Sequence, residues 1–531
     1  MPEPGPHPRQ HAAPYLEALQ SFAGREPRRA MVPGHKGGRA ADGGLREALS
    51  DGALALDLPT LIEGVDVAAG GVAPYEVARG LAADAWGARR TWFLTNGASQ
   101  GNLAACLAIA QRGDRVVVQR TVHGSTIDGL VLAGLEPTFV APEVDVELGL
   151  AHCVLPSALD AALARTPGAA AAIVVSPTYY GAAADVAGLA RVAHAHGVPL
   201  VVDEAWGAHL AFCEALPQHA LAAGADLVIS STHKHAGSLT QSAMLHLGAG
   251  GRFEEAAVDR ALGLVTSTSP SSLLLASLDA ARRHAAVEGG DLLRVAVAEL
   301  AVLRGEIRAI GGLDVLDERV VGRFGVAAID PLRVCVDVRA TGLSGYEVAR
   351  RMRRDGDVHV ELCGEHVVVA VFGLGERVAV HGARLVEALA RACAQLPHRA
   401  PATGRSNVGR PPSTGGRTDV RRVSAWLVPL WGDVALSPRA AFLAAPERVP
   451  IAQAEGRIAA ECLAAYPPGI PNVLPGERLT AANLATLQRT LAHGGVVRGA
   501  ADPTLRTLLV VAEPAALETG GAHLRLERAV A

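Results

Sequence analysis

Between residues 90 and 250, short β-branched runs alternate with helical runs, and this pattern limits the fold more than any other feature of the chain. "TWFLT" (91–95) precedes the turn "NGASQGN" and the helical "LAACLAIAQRG". "DRVVVQ" (114–119) leads into "RTVHGSTIDGLVLAG", and "AAIVVSP" (171–177) into "TYYG". "VPLVVDEAWGAH" (198–209) and "ADLVISSTHK" (225–234) are two further strands that run into polar loops. Strands separated by helices imply right-handed βαβ units and a mostly parallel sheet. Ligands of such sheets bind beyond the carboxyl ends of the strands. The polar clusters lie at those ends: Asn96 to Asn102, His123, Thr178 to Tyr180, Asp203 to His209, and Ser230 to Lys234. One site can gather all five.

The 531 residues exceed one ordinary domain. Half are apolar and 19% are charged, as in a globular protein, and aromatics reach only 4%, which suits closely packed helices on buried strands. The net charge of −4 argues against a dedicated nucleic-acid surface. "MPEPGPHPRQHAAP" has no apolar core for a signal peptide, and no run is long enough to span a bilayer, so no membrane partner is expected. Seven scattered cysteines without a CxxC pair read as reduced core residues of a cytoplasmic protein. We expect an N-terminal segment (1–30), a large α/β domain (31–289), a small α+β domain (290–396), a linker or insertion rich in Pro, Gly, Ser, Thr and Arg (397–422), and a C-terminal domain (423–531).

Lysine occurs only at Lys36 and Lys234; Lys and Arg total 49, so 49 − 2 = 47 are arginine. A GC-rich coding bias explains the arginines. Arginine serves as a solvated cation but cannot lose its proton to attack a carbonyl, whereas a desolvated lysine can. Chance survival on a loop accounts for a lone lysine; the surroundings of Lys234 say more. Ser99 and free backbone N–H groups at a helix start suit a phosphate, although Ser and Asn also cap helices. Asp203 ends an apolar strand, either as a turn residue or as a carboxylate held against a cationic ring nitrogen. His123 is either a core histidine or a ring stacked on an aromatic ligand. A phosphate cradle, a flat ring, a carboxylate and an amine together meet the needs of pyridoxal 5′-phosphate.

"PGHKGG" (33–38), "FLTNGASQGN" (93–102), "RTVHGS" (120–125), "SPTYYG" (176–181), "VDEAWGAH" (202–209), "SSTHKHAGSLTQ" (230–241), "STSPSSLLLASLD" (267–279) and "YPPGIPNVLPGE" (466–477) occur in this order. In this the chain resembles the Orn/Lys/Arg decarboxylases, fold-type-I pyridoxal-phosphate enzymes, over roughly residues 31 to 480. The resemblance implies a PLP-dependent large domain with a mostly parallel sheet and decarboxylation of lysine, ornithine or arginine to the amine and CO₂, in polyamine-related metabolism. It places Lys234 at the Schiff-base position, Asp203 on the pyridinium nitrogen, and His123 and Ala205 on the two ring faces. Ala98, Ser99, Ser231 and His233 would hold the phosphate. Thr268 resembles a residue that the neighbouring subunit sends to the phosphate, which implies a homodimer with shared sites. Glu477, ending "PGE", is the expected anion for the distal cation of the basic amino acid substrate.

Two departures stand out. The family often has lysine after the stacking histidine; here it is Gly124, which puts substrate preference near that position in doubt. "PGHKGG" is reached by residue 33, so a short form without the N-terminal receiver-like domain of the large inducible members is expected. Another fold-type-I activity, an aminotransferase or lyase, would share Lys234 and Asp203 but release a keto acid. A non-catalytic homologue is the rival of another class, and the retained lysine, aspartate and histidine count against it. The role of Lys36 is left open.

Overall fold

The computed structural model describes residues 8–394, 431–466 and 469–512. A seven-stranded sheet organises the first half. From edge to edge it runs Arg90–Leu94, Ala243–Leu247, Leu227–Ser230, Leu200–Asp203, Ala171–Val175, Arg115–Gln119 and Glu136–Val140. Only Ala243–Leu247 runs against the rest, so the sheet is mostly parallel, as expected. Alternate residues feed two cores. Val117, Val174, Val202 and Val228 face one side, and Val116, Val118, Ile173, Val201 and Ile229 the other. Burial on both faces is why these strands read as unbroken apolar runs.

Small residues bring the covering helices close. A methyl group on Gly101, in the helix Gly97–Ala110, would stand 2.8 Å from the Ile229 side chain and 3.1 Å from that of Leu94. That helix therefore lies tightly on the sheet, and its N-terminus meets the strand ends.

The helix Ser272–Arg308 has 37 residues and runs through the expected 289/290 boundary without a break. Its buried residues, from Leu275, Leu278 and Arg282 through Leu293, Ala296 and Leu300 to Leu303 and Ile307, keep a three-to-four spacing throughout. The first half packs on the large domain and the second on a small four-stranded sheet, ordered Asp314–Val315, Arg333–Asp337, Val367–Val371, Leu362–Cys363. Gly289 and Gly290 lie where the helix passes Phe212, so the glycine pair gives room rather than a break. The "LLLASL" stretch, expected to await a second subunit, packs largely in its own chain: Leu275, Ala276 and Leu278 join Tyr15, Leu19, Ala78 and Trp86.

The N-terminal segment is equally integrated. Gln10 and Ala12 offer carbonyls to the buried Arg282 guanidinium, and Asp279 accepts from the Tyr15 N–H at 2.9 Å. The C-terminal region has its own core around Val449, Leu463, Val473, Leu484, Leu487 and Val510. The expected linker 397–422 lies outside the described residues. Among the described residues no helix is long and apolar enough to cross a membrane.

Candidate active site

The strand Leu227–Ser230 ends at Ser231, and one helical turn, Thr232–His235, carries Lys234. Its Nζ stands 3.7 Å from the centroid of the Trp206 ring. Burial lowers the pKa of the ammonium to about 8; Asp203 and Glu361 oppose the shift and the Arg333 guanidinium adds to it. Arg333 packs on the same Trp206 ring at 3.6 Å. Its Nε donates to His235 Nε2 and its Nη1 to the Tyr179 carbonyl, at 3.1 and 2.9 Å.

Asp203 closes the neighbouring strand and is only 3% exposed. Asn102 Nδ2 donates to its Oδ2, and the Ala205 N–H to its Oδ1, both at 3.0 Å. Both donors are neutral. Lys234 is the nearby cation of the chain, but among the described residues it makes no hydrogen bond to Asp203, so a buried carboxylate held by neutral donors can still receive a further cationic donor. Asn102 also donates to Ser125 Oγ at 3.0 Å, and the Ser125 N–H donates to His123 Nδ1 at 3.1 Å. This chain of contacts fixes the orientation of the His123 ring and makes Nδ1 an acceptor. Burial pushes the His123 pKa down, with Asp203 opposing and Lys234 and Arg498 adding, which keeps the ring neutral.

One cavity is lined by Ala98, Ser99, His123, Asp203, Ala205, Ser231, His233 and Lys234, together with Gly97, Asn102, Tyr179 and Trp206. Gly97 opens the helix Gly97–Ala110 at φ +70°, a left-handed conformation that favours glycine, and leaves the helix N-terminus at the cavity. His233 Nδ1 donates to the Ser242 carbonyl at 2.9 Å, which sets the ring beside Ser231. The set fits pyridoxal 5′-phosphate: a helix N-terminus for an anion, a buried carboxylate that can receive a cation, and an amine whose proton is easily lost.

Glu477 and Thr268 lie outside this cavity, the latter being expected to serve the neighbouring subunit's site rather than its own. Thr268 is exposed and does not line the cavity; Thr60 Oγ1 donates to its carbonyl at 3.4 Å, and Ser271, not Thr268, caps the following helix. Glu477 is 1% exposed and bound through both oxygens by Arg120, at 2.8 and 2.7 Å, with the Leu474 N–H also donating to it. That ion pair ties the "RTVHGS" and "PGE" stretches together and leaves Glu477 no free oxygen for a substrate cation. Lys36 belongs to its own loop: it has φ +56° and its Nζ donates to the Met31 carbonyl at 2.5 Å.

Asn102, Trp206, Arg333 and Glu361 were not singled out from sequence. The sequence signal for Asn102 is its place in "NGASQGN", one helical turn from Ser99. Glu361, Leu362 and Val371 of the small domain and Tyr466 and Arg498 of the C-terminal region line the outer part of the cleft, with His123, Trp206 and Lys234 at its inner end. Three parts of the chain thus converge on one amine.

Residues 13–379 match the family described as Orn/Lys/Arg decarboxylase, major domain, and residues 433–492 its C-terminal domain. An arginine decarboxylase of Bacillus subtilis (strain 168) is 34% identical over 96% of this chain and 100% of its own. One from Halalkalibacterium halodurans is also 34% identical, over 96% of this chain and 99% of its own. Lysine decarboxylase A from Pseudomonas aeruginosa superposes with a TM-score of 0.75 at 24% identity, covering 94% of this chain and 80% of that one, which shows a shared fold. The protein described here belongs to the Orn/Lys/Arg decarboxylase family.

Proposed function

We propose that the chain decarboxylates a basic amino acid with pyridoxal 5′-phosphate, with arginine as the preferred substrate. The observation that carries this reading is the placement of the Lys234 amine and the buried Asp203, whose donors are neutral, in one cavity. The similarity to proteins named arginine decarboxylase over nearly the full chain supports arginine within the basic amino acids.

When bound, the cofactor supplies an electron sink for the pair left behind when CO₂ departs. The protein does the rest. Gly97, Ala98 and Ser99 offer a helix N-terminus to the phosphate, with Ser231 and His233 beside it. Asp203, held by Asn102, would supply the negative charge that keeps a ring nitrogen protonated. His123, neutral and fixed through Ser125, offers a flat face. Lys234, with its pKa lowered to about 8, has a sizeable neutral fraction near neutral pH and can act as nucleophile. We further propose that the enzyme is cytoplasmic, serves polyamine-related metabolism and works as a homodimer.

The test uses purified protein with arginine, ornithine and lysine in parallel. CO₂ release, fastest from arginine, is expected. Borohydride is expected to fix the cofactor to the Lys234 peptide, and Lys234→Arg to leave it removable by dialysis. Labelling at Lys36, or formation of a keto acid without CO₂, would count against the assignment.

A further inference from the structure

Arg282 and Arg333 are the two largest fully buried side chains among the described residues. Arg282 has its counter-ion in Asp279. Arg333 forms no ion pair among the described residues, and its Nη2 is buried without a hydrogen-bond partner. Asp330, three residues before it, is taken by His209 Nε2 at 3.2 Å and by the Leu332 N–H at 3.0 Å. A buried charge without a counter-ion is costly to a fold, so the place where it is held matters. Arg333 is held tightly. Its Nε donates to His235 and its Nη1 to the Tyr179 carbonyl, and a methyl group on Gly181 would stand 2.8 Å from Arg333 Cβ. The guanidinium lies 3.6 Å from the centroid of the Trp206 ring, and Lys234 Nζ lies 3.7 Å from the same centroid. At most one indole therefore separates the two cations. His235, which accepts from Arg333, is also the residue that follows Lys234.

We propose that Arg333 is a positioning residue for the reaction: its fixed, buried positive charge keeps the Lys234 amine in the free, nucleophilic form. A neighbouring cation in a dry site makes a second cation unfavourable, so the ammonium gives up its proton more readily. Arginine suits the role because it stays charged where a buried lysine would not. Burial lowers the Arg333 pKa to about 10, which still leaves it charged at neutral pH. The other charged and titratable groups that face the amine and its turn are Asp203, Glu361, His123, His233, His235, Tyr179, Tyr466 and Arg498. Asp203 and Glu361 attract the ammonium. Burial holds the three histidines neutral and pushes the Tyr179 hydroxyl up, so that it too is neutral. Arg498 is exposed, and water and salt screen it. Arg333 is thus the buried cation set against the two carboxylates. It touches no reacting atom and acts through Lys234.

This inference rests on the reading of Lys234 as the nucleophile, and the experiment separates it from the decarboxylase reading. Because lysine occurs only at Lys36 and Lys234, full-length cofactor-free protein labelled with [ε-¹³C]lysine gives two side-chain NMR signals, and Lys36→Arg assigns them. The Lys234 signal is expected to titrate at about 8 in wild type. In Arg333→Met it is expected to titrate about one unit higher. Methionine keeps the site apolar, so a change of packing alone would leave the midpoint in place or lower it, and only the lost charge raises it. Capture of pyridoxal 5′-phosphate at pH 7, which needs the free amine, is expected to be about tenfold slower in the variant, with the difference fading as the pH rises. Arg333→Gln, which can still donate to His235, is the second neutral variant should the first not fold. A wild-type amine that titrates near its ordinary 10.5, or a midpoint unmoved in a folded neutral variant, would overturn the role of Arg333 and leave the decarboxylase reading intact. The expected midpoints in a wild type that releases no CO₂ from any basic amino acid would instead overturn the decarboxylase reading alone.

Discussion

Lys234 was visible in the sequence because arginine had replaced nearly every other lysine, and because it followed a buried strand. Asp203 and His123 were visible for the second reason. Asn102 and Trp206 were not, because an asparagine in the first turns of a helix and a tryptophan after a strand have ordinary uses, and only the packing of the helix on the sheet turns them toward the ligand. Glu477 misled for the opposite reason. A carboxylate near the site invites a substrate role, but Arg120, more than 300 positions earlier, claims both oxygens. The lowered pKa of Lys234 has a consequence for stability. With a folded value of about 8 and an ordinary value of 10.5, the unfolded chain binds more protons between those limits. Stability contributed by this residue therefore rises with pH from about 8 to 10.5 and is flat below. Cofactor-free Lys234→Met should be more stable than wild type below about pH 8, and this advantage should fade across the same window. Urea midpoints measured for both proteins from pH 7 to 11 check this; an advantage independent of pH would show that the amine is not desolvated.

At the scale of elements, the central strands were legible because burial on both faces leaves them continuously apolar. The edge strand Glu136–Val140 was not, since it is only partly buried and carries Pro137, which only an edge tolerates. The long helix crosses the domain boundary expected at 289/290 because its two halves serve different cores. Its N-terminal half holds the first helix, Pro14–Gly24, through a buried pair: Arg282 Nη2 donates to Asp279 Oδ1 at 2.5 Å, both side chains are fully buried, and Asp279 also accepts from the Tyr15 N–H. Removing one partner leaves a buried charge, which typically costs about 3–5 kcal/mol. Arg282→Met is expected to lower stability by about that much and to loosen the N-terminal helix first, whereas Asp279→Leu with Arg282→Met should recover part of the loss. Hydrogen exchange of the Tyr15 and Leu19 amides, with urea unfolding of the single and double variants, checks this. A single variant as stable as wild type would show that the pair does not pin the helix.

Across the whole molecule, Lys234 sits at the junction of large, small and C-terminal parts, yet Thr268 stays outside the cavity of its own chain. "LLLASL" is largely satisfied within its own core; what points to a second subunit is the neighbourhood of Thr268. Thr60 donates to the Thr268 carbonyl, and the adjacent Leu61 is 80% exposed. Leu264, four residues before Thr268, is 77% exposed. Large apolar side chains so open beside a hydroxyl with no role in its own cavity suit an interface. Under two-fold symmetry the Thr268 of each chain would reach the phosphate of the other. Lys234→Ala and Thr268→Ala are each expected to be severely impaired, and mixed subunits should regain activity, because one of the two sites in a hybrid then carries both native residues. Light scattering is expected to give the mass of a dimer, and subunit exchange is verified with a tagged chain. A catalytically competent monomer, or no recovery after proven exchange, would mean that each chain completes its own site and that Thr268 has no part in it.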